Sequence, residues 1–163
     1  MTTLYLSPRA ARQIEQAVRR NPGVETGGIL MGYQLSPTEW LVTYASEPGP
    51  SAVQKPQTIV FDDPYLARLV QRLQLRSTRR WHYIGDWHSH TIRSLQPSKA
   101  DKQTIMSKAS EEKYGSRSPI MLIVGLNRQQ QIQARAFILS GSLRSFRQVT
   151  MYEKEKLGNP QPL

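Results

Sequence analysis

Apolar residues recur along the chain with two spacings, one typical of helices and one typical of strands. Two stretches have the helical spacing. The first is predicted to begin after Ser7 and Pro8, a typical helix start, and its apolar stripe is Ala10, Ile14, Ala17 and Val18. The second is predicted over residues 62–76, and its apolar stripe is Leu66, Leu69, Val70 and Leu73.

Strands are predicted where short apolar or alternating runs are bounded by glycine, proline and small polar residues. These segments are residues 3–6, 25–33, 39–46, 58–61, 80–90, 119–126, 131–139 and 145–153. A third helix is predicted from about Ser98 to Lys113. The order of elements indicates an α/β (α+β) fold, with one mixed sheet flanked by about three helices. We expect a single domain over residues 1–152 and a flexible tail over residues 153–163.

The chain contains no cysteine, which excludes disulfides, thiolate metal sites and cysteine nucleophiles. Any metal site must therefore use histidine and carboxylate ligands. The first twenty residues lack the apolar core of a signal peptide, and the longest apolar run, residues 120–126, is too short to span a bilayer. We therefore expect a cytoplasmic protein with no membrane partner.

The net charge is +10, from 22 Lys and Arg against 12 Asp and Glu. Such a charge favours encounters with acidic proteins, nucleic acids or anionic membranes. In the second predicted helix, Arg68, Arg72 and Arg76 recur every four residues and form one basic stripe. The stripe is either a solvated face or a surface that meets an acidic partner. Because no aromatic residues that could stack on bases are interleaved with these arginines, nucleic acid is not expected as a partner.

Residues 85–101, GDWHSHTIRSLQPSKAD, place two histidines at the end of a predicted strand and a serine and an aspartate at the start of a predicted helix. Side chains at i and i+2 of a strand point to one face, so His88 and His90 can bind the same ion. Asp101 would complete a catalytic set of three zinc ligands and leave a fourth position for water. Ser98 and Asp101 can also be interpreted as a capping box, and the two interpretations are compatible.

Two further residues share the strand alternation of His88. Asp86 is interpreted either as a partner that orients a ligand or as an exposed carboxylate. His82 lies roughly 20 Å from His88 along an extended strand, so we expect it to be a core or surface histidine.

A hydrolytic metal site also needs a base that accepts the proton of the attacking water. Glu25 is a candidate, because it begins an otherwise apolar, glycine-rich strand, ETGGILMGY, in which a buried charge is costly. The alternative is that Glu25 lies in solvent at the start of this strand.

Together these residues resemble the signature of the JAMM (MPN+, JAB) zinc metalloprotease family. The segment H-S-H at residues 88–90 is followed after seven residues by Ser98 and after two more by Asp101, and Glu25 lies upstream. The match covers every defined position of the signature E…H-[ST]-H-x7-S-x2-D. The order of predicted elements agrees with the family as well, over residues 3 to about 150.

The resemblance implies a cytidine-deaminase-like MPN/JAMM domain with one Zn²⁺ per chain. By the same resemblance, His88, His90 and Asp101 are the zinc ligands, Glu25 is the general base, and Ser98 donates a hydrogen bond to the oxyanion. Family members hydrolyse the bond that follows the C-terminus of ubiquitin or a ubiquitin-like protein. They typically hold the substrate's extended tail by strand addition.

Within the family, the short length and the segments ETGGILMGY and YIGDWHSH are similar to bacterial stand-alone members that accompany E1- and E2-like enzymes in antiphage operons. The expected substrate is a conjugated cyclic-nucleotide synthase, as in type II CBASS, or a ubiquitin-like protein, as in Bil-type systems. Three alternatives are a peptidase that processes a ubiquitin-like sulfur carrier, a metal-dependent nuclease, and an inactive scaffold. An inactive scaffold would lack a ligand or the base, and this sequence retains all of them.

Overall fold

A computed structural model of the chain describes residues 2–110 and 118–153. Within these residues, ten strands and three helices follow one another. In chain order they are β1 (Thr3–Leu6), α1 (Pro8–Arg20), β2 (Gly27–Ser36), β3 (Glu39–Ala45), β4 (Val53–Gln54), β5 (Ile59–Val60), α2 (Asp63–Arg76), β6 (His82–Ser89), α3 (Lys99–Ala109), β7 (Ile120–Leu126), β8 (Ile132–Ser140), β9 (Ser142–Ser145) and β10 (Gln148–Met151).

Eight of the strands form one mixed sheet in the order β10-β1-β3-β2-β6-β7-β8-β9. The pairs β1–β10, β1–β3 and β6–β7 are parallel, whereas β2–β3, β2–β6, β7–β8 and β8–β9 are antiparallel. The histidine strand β6 therefore lies in the middle of the sheet, between β2 and β7. The predicted fold class, a mixed sheet with three helices, is confirmed.

The first two helices begin as the sequence predicts. The hydroxyl of Ser7 accepts a hydrogen bond from the backbone N–H of Ala10 at 3.1 Å, and the carboxylate of Asp62 accepts one from Tyr65 at 3.3 Å. Both helices bury their predicted apolar stripes. The arginine stripe of α2 is exposed, which agrees with a solvated face and leaves contact with an acidic partner a prediction.

The three helices cover both faces of the sheet. Leu30 and Trp87 pack with the apolar stripe of α1, whereas Ile29 and Met31 pack with that of α2. Because neighbouring strand residues point to opposite faces, α1 and α2 lie on opposite sides of β2. Helix α3 packs through Ile105 on a third cluster, formed by β7 and β8.

A β-bulge interrupts the pairing of β6 with β2. Leu30 pairs with Gly85 and Met31 pairs with Tyr83, so Ile84 is an extra residue on β6. The bulge reverses the alternation of side chains at this point, because one added residue shifts every following side chain to the other face.

The bulge corrects one expectation from the sequence. Tyr83 and Asp86 are three residues apart, yet the hydroxyl of Tyr83 donates a hydrogen bond to Asp86 at 2.9 Å, because both point to one face. In an uninterrupted strand His82 and His88 would point to the same face. Because of the bulge they point to opposite faces. His82 is an exposed residue at the start of β6, so the surface position is correct and the core position is wrong.

Two short strands form a separate sheet beside the main one. The sequence predicts a loop over residues 47–57 and a strand over residues 58–61, but the loop contains β4, and β4 pairs with β5. The prediction of an unbroken loop was wrong because β4 has two residues and its pairing depends on β5 rather than on a local pattern.

The last predicted strand, residues 145–153, was wrong as a single element. Ser145 ends β9, and β10 begins at Gln148 on the opposite edge of the sheet, where it pairs with β1. Phe146 between them is buried, and its N–H donates to the carbonyl of Ala136 at 2.8 Å. Alternation alone does not indicate which partner a strand will pair with. The passage of the chain at Phe146 from one edge of the sheet to the other therefore has no local signal in the sequence.

Two predictions extend beyond the described part of the chain. Helix α3 ends at Ala109, and the last predicted helical residues, 111–113, lie outside the described residues. The predicted tail lies outside them too, except for Glu153. No described helix combines the length and the apolar character needed to cross a bilayer.

We predict that Gly85→Ala destabilises the protein by about 3 kcal/mol, because a Cβ at this position would overlap the carbonyl oxygen of Ile120 on the paired strand β7. Urea unfolding monitored by circular dichroism would measure the loss. Gly141→Ala is the matched control: its φ of 74° is unfavourable for alanine, but a Cβ there meets no atom within 4 Å. We expect about 1 kcal/mol for the control. Equal losses in the two variants would contradict the role of the close approach at Gly85.

Candidate metal centre

The two histidines lie side by side at the end of β6. His88 belongs to β6, and His90 follows it by two residues, where its N–H still donates to the carbonyl of Val124 on β7 at 2.8 Å. The extended conformation therefore continues through His90 and keeps both imidazoles on one face. Their Nε2 atoms are 3.0 Å apart, and both residues are buried.

Asp101 reaches the same point from the first turn of α3. Its Oδ2 lies 3.2 Å from Nε2 of His88 and 3.1 Å from Nε2 of His90. The same oxygen accepts the backbone N–H of Ser98 at 2.8 Å, while the hydroxyl of Ser98 accepts the N–H of Asp101 at 3.0 Å. The predicted capping box is therefore confirmed, and it orients the carboxylate toward the histidines.

The three side-chain atoms form a triangle that suits a metal ion. Its edges are 3.0, 3.1 and 3.2 Å. A tetrahedral zinc ion with bonds of about 2.0 Å holds its ligand atoms roughly 3.3 Å apart, so the triangle matches one face of the tetrahedron. Two nitrogen donors and one carboxylate are also the donors of catalytic zinc sites that keep an open position. The residues present fit the ion.

A backbone carbonyl sets the orientation of His90. Its Nδ1 lies 2.8 Å from the carbonyl oxygen of Ser94. Because a carbonyl oxygen only accepts, Nδ1 carries a hydrogen and donates a hydrogen bond, which leaves the lone pair of Nε2 for a metal. Residue types carry no signal for this role of Ser94, because any residue supplies a carbonyl. Only the path of the loop between β6 and α3 places it there.

The charges in the triangle shift the proton affinities of its members. Burial of Asp101 opposes ionisation, but its hydrogen bonds with His88 and His90 outweigh burial, and the pKa of Asp101 is far below its usual range. Burial of His90 opposes protonation, but its hydrogen bonds to Asp101 and Ser94 prevail and raise the pKa of its imidazole. In the metal-free triangle, the carboxylate of Asp101 therefore stays ionised and the imidazole of His90 binds its proton more tightly than usual.

Glu25 lies beside the triangle and is buried, with 6% of its surface exposed. The alternative of a solvated Glu25 is therefore wrong. Its N–H donates to the carbonyl of Lys55 at 2.8 Å, and its carbonyl accepts from the side chain of Gln54 at 3.1 Å. Burial raises the pKa of the Glu25 carboxyl, and the nearby His88 and His90 partly offset this increase.

The chain around Glu25 is attached directly to the histidine strand. The hydroxyl of Ser89, which points away from the triangle, accepts the N–H of Thr26 at 2.9 Å. The backbone N–H of Ser89 donates to the carbonyl of Thr26 at 2.8 Å. Gly27 allows this close approach, because a Cβ there would overlap the carbonyl oxygen of Trp87. The glycine at position 27 is thus explained by the proximity of the two strands.

Ser98 is exposed and lies at the edge of a cavity of about 260 Å³ beside the triangle. Glu25, His88 and Asp101 also line this cavity. The hydroxyl oxygen of Ser98 is an acceptor in the capping box, so its O–H proton can be donated to another group. Four of the five predicted site residues thus line one cavity, and the fifth, His90, lies beside it with its Nε2 3.0 Å from that of His88.

Asp86 has a different partner from those that the sequence suggested. It is half-buried, so the exposed alternative is wrong, and its contacts are the ion pair with Lys108 of α3 and the hydrogen bond from Tyr83. Lys108 is buried as well, with 6% of its surface exposed. The role of Lys108 is not predictable from the sequence, because a lysine within a polar helix carries no signal of burial.

Comparison with known proteins places the arrangement in a family. Residues 7–138 match the family described as prokaryotic homologs of the JAB domain. The chain belongs to this family. Since the family is the one that the histidine and aspartate spacing indicates, the predicted resemblance is confirmed.

Individual relatives of the JAB-domain chain have enzymatic names. A CD-NTase/cGAS isopeptidase of Enterobacter hormaechei subsp. hoffmannii (strain UCI 50) is 31% identical over 131 residues, which cover 75% of this chain and 68% of the relative. A probable metalloprotease of Sinorhizobium fredii (strain NBRC 101917 / NGR234) is 26% identical over 102 residues, 62% of each protein. With this family and these relatives, the chain is a JAMM-type metallopeptidase.

A solved structure shares the fold. The solution structure of a protein from Desulfitobacterium hafniense has a TM-score of 0.68 and 18% identity, and the match covers 99% of this chain and 100% of the other. The likeness concerns the fold alone.

We predict that the metal affinity of the triangle falls as the pH is lowered. Because the pKa of His90 is raised, its proton competes with a metal from a higher pH than an ordinary imidazole would. The affinity should fall about tenfold per pH unit for each proton released, and Asp101, which stays ionised, should add no slope. Competition with a chromophoric zinc chelator from about pH 8 to about pH 5 would measure it. A constant affinity over this range would contradict the prediction.

Proposed function

We propose that this metallopeptidase is a zinc-dependent isopeptidase that cleaves the amide bond after the C-terminus of a conjugated cyclic-nucleotide synthase. The reaction would reverse a conjugation made by E1- and E2-like enzymes in bacterial antiphage defence. The observation that carries the chemistry is the buried carboxylate of Glu25 next to the triangle of His88, His90 and Asp101. The substrate is supported by the relative named CD-NTase/cGAS isopeptidase.

In this proposal His88, His90 and Asp101 hold one Zn²⁺ through the atoms that already lie within 3.2 Å of one another. When bound, zinc polarises the scissile carbonyl and makes a water molecule acidic enough to attack near neutral pH. Zinc is favoured over magnesium or calcium because two of the three donors are imidazoles, whereas those harder ions take oxygen donors.

Glu25 is proposed as the general base. Its carboxylate would accept the proton of the attacking water and later deliver it to the nitrogen of the leaving lysine or amine. Burial suits this role, because a raised pKa brings the proton affinity of the carboxylate closer to neutral pH. The imidazoles of His88 and His90 lie close enough to limit the rise, so the carboxylate remains able to accept a proton.

Ser98 is proposed to donate its hydroxyl proton to the oxygen that gains negative charge as the amide carbon becomes tetrahedral. The capping box supports this role, because it holds the serine oxygen at 3.0 Å from the N–H of Asp101 and leaves the proton to be directed into the cavity. A donor that is already oriented costs no reorganisation when the charge develops.

The short sheet of β4 and β5 is proposed to hold the extended tail of the substrate. Val60 of β5 lines the cavity, and Gln54 and Lys55 at the end of β4 bond to the backbone of Glu25. A peptide that pairs with an edge of this sheet would therefore be led past the base. Backbone pairing of this kind tolerates varied side chains and suits the flexible C-terminus of a modifier.

A ubiquitin-like modifier or a ubiquitin-like sulfur carrier could replace the synthase without any change in the chemistry. All three substrates present an extended C-terminal tail followed by an amide bond, and we prefer the synthase because of the relative's name alone. We propose that the reaction takes place in the cytoplasm, the location that the sequence predicts.

We predict that Glu25→Gln lowers kcat by about 10²–10⁴-fold while zinc stays bound, because glutamine has the shape of glutamate but accepts no proton. Asp101→Ala should instead lose zinc together with activity. Zinc content by mass spectrometry of metals, and cleavage of a model isopeptide conjugate, would separate the two effects. Glu15→Gln, an exposed glutamate of α1, is the matched control and should change neither. Normal turnover by Glu25→Gln would remove Glu25 as the base.

We predict that a cyclic-nucleotide synthase joined through its C-terminus to a lysine side chain is cleaved to give the synthase with an intact C-terminus. Intact-mass spectrometry of the products would show the cleaved bond, and the Glu25→Gln variant serves as the inactive control. A ubiquitin-like conjugate and a sulfur-carrier precursor are tested in parallel. Cleavage of either of these with the synthase conjugate untouched would overturn the choice of substrate and leave the chemistry in place.

A further inference from the structure

The triangle depends on how α3 is placed against β6, because the histidine side comes from β6 and its continuation and the aspartate side comes from α3. Helix α3 has little apolar surface to hold it. Its buried residues are Ile105 and Lys108, and the rest of the helix is half-buried or exposed. A helix with one buried apolar side chain is weakly anchored by hydrophobic packing, since most helical stability in proteins comes from a packed apolar face.

The second buried residue of α3 forms an ion pair with the histidine strand. The ammonium group of Lys108 contacts Oδ2 of Asp86, and their side chains are only 7% and 15% exposed. The ammonium also lies 4.7 Å from the centre of the Phe61 ring, and Oδ1 of Asp86 accepts the hydroxyl of Tyr83. Both charges are therefore paired and also contact a neighbouring side chain, as a buried pair requires to offset its loss of hydration.

The ion pair and the triangle join the same two elements at two separate points. On α3, Asp101 and Lys108 are seven residues apart, which places them on one face and roughly 10 Å apart along the axis. On β6, Asp86 and His88 are two residues apart and share one face, roughly 7 Å apart. Two contacts at separate points determine the angle between a helix and a strand, whereas a single contact allows the helix to pivot.

We propose that the Lys108–Asp86 ion pair is a positioning pair, which sets α3 on β6 and so keeps Asp101 at the two histidines whether or not zinc is bound. This inference rests on the proposed role of His88, His90 and Asp101 as zinc ligands. Without the pair, the contacts of Asp101 and the packing of Ile105 would remain, among the described residues, to hold α3 near the triangle. The helix would then have to be ordered each time the metal binds, and the affinity for zinc would fall.

The pair lines the same cavity as Glu25 and Ser98, so a direct contact with substrate is the competing explanation. The two explanations differ in what they change. A positioning pair acts on zinc affinity and kcat, and it acts without any substrate present. A substrate contact acts on KM and leaves zinc affinity as it is.

The first experiment uses Lys108→Met, which keeps the length of the side chain and removes its charge. We expect the zinc affinity, measured by competition with a chelator, to fall about 10–100-fold. Amide hydrogens of α3 should exchange faster than in the unchanged protein when both are metal-free. In the zinc-loaded protein, kcat should fall with KM changed less than about twofold. Unchanged zinc affinity and unchanged exchange in α3 would overturn the proposal.

A second variant covers the case in which Lys108→Met fails to fold because Asp86 is left as an unpaired buried charge. Lys108→Met combined with Asp86→Asn removes both charges, and asparagine can still accept the hydroxyl of Tyr83. This double variant should fold and have the same loss of zinc affinity. Lys108→Arg, which retains the charge but adds bulk at a buried site, should lose less zinc affinity than Lys108→Met. A double variant that folds and binds zinc normally would overturn the proposal.

Val18→Ala is the matched control for general destabilisation. Val18 is a buried residue of α1, which packs on the opposite face of the sheet from His88. It should lower the midpoint of urea unfolding without changing zinc affinity or exchange in α3. A loss of zinc affinity equal to that of Lys108→Met would assign the effect to stability alone and contradict positioning.

The failure of this inference can be told apart from the failure of the proposed function. If the unchanged protein binds no zinc, both fail. If it binds zinc and cleaves normally and only the variants are neutral, this inference fails alone.

Discussion

Three donor atoms from two separate elements lie within 3.2 Å of one another, and most of the structure around the cavity serves that constraint. Two imidazoles and a carboxylate at this spacing tolerate little movement, because a shift of an ångström would break the match to a tetrahedral ion. The pairing of His90 with β7 holds one side, and the capping box of α3 holds the other. The carbonyl of Ser94 selects the tautomer that a metal requires.

A second constraint is the burial of Glu25. Burying an ionised carboxylate costs free energy unless nearby groups stabilise its charge. Here the two histidines oppose the effect of burial on the pKa of Glu25. The chain keeps Glu25 there through backbone contacts on both sides, to Lys55 and Gln54 in one direction and through Thr26 to Ser89 in the other. Ser89, between the two histidines, thus attaches the segment of Glu25 to β6. The strand that carries His88 thus also holds the segment that contains Glu25.

Much of the architecture could be predicted from local patterns. The helices α1 and α2 were predicted near their observed bounds and with their buried stripes, since the Ser7–Pro8 start of α1 and the spacing of apolar residues in both helices are local signals. The site residues were indicated by their spacing and by the family they resemble. Non-local features were missed or mistaken: the β4–β5 pair, the separation of β9 from β10 at Phe146, and the bulge at Ile84. Each of these depends on which strand lies alongside, and a strand's own sequence carries no record of its neighbour.

The chemistry available to this chain follows from its residue types and their short spacings: no thiolate, two histidines at strand spacing, an aspartate in a helix's first turn, and a glutamate before an apolar strand. Residue types and short spacings decide which donors exist and which pairs can face one way. The burial of Glu25 next to His88 and the pairing of Lys108 of α3 with Asp86 are instead consequences of folding. Burial and long-range pairing arise when β2, β6 and α3 pack together. The cost of burying Glu25 and the partner of Lys108 are therefore properties of the folded chain.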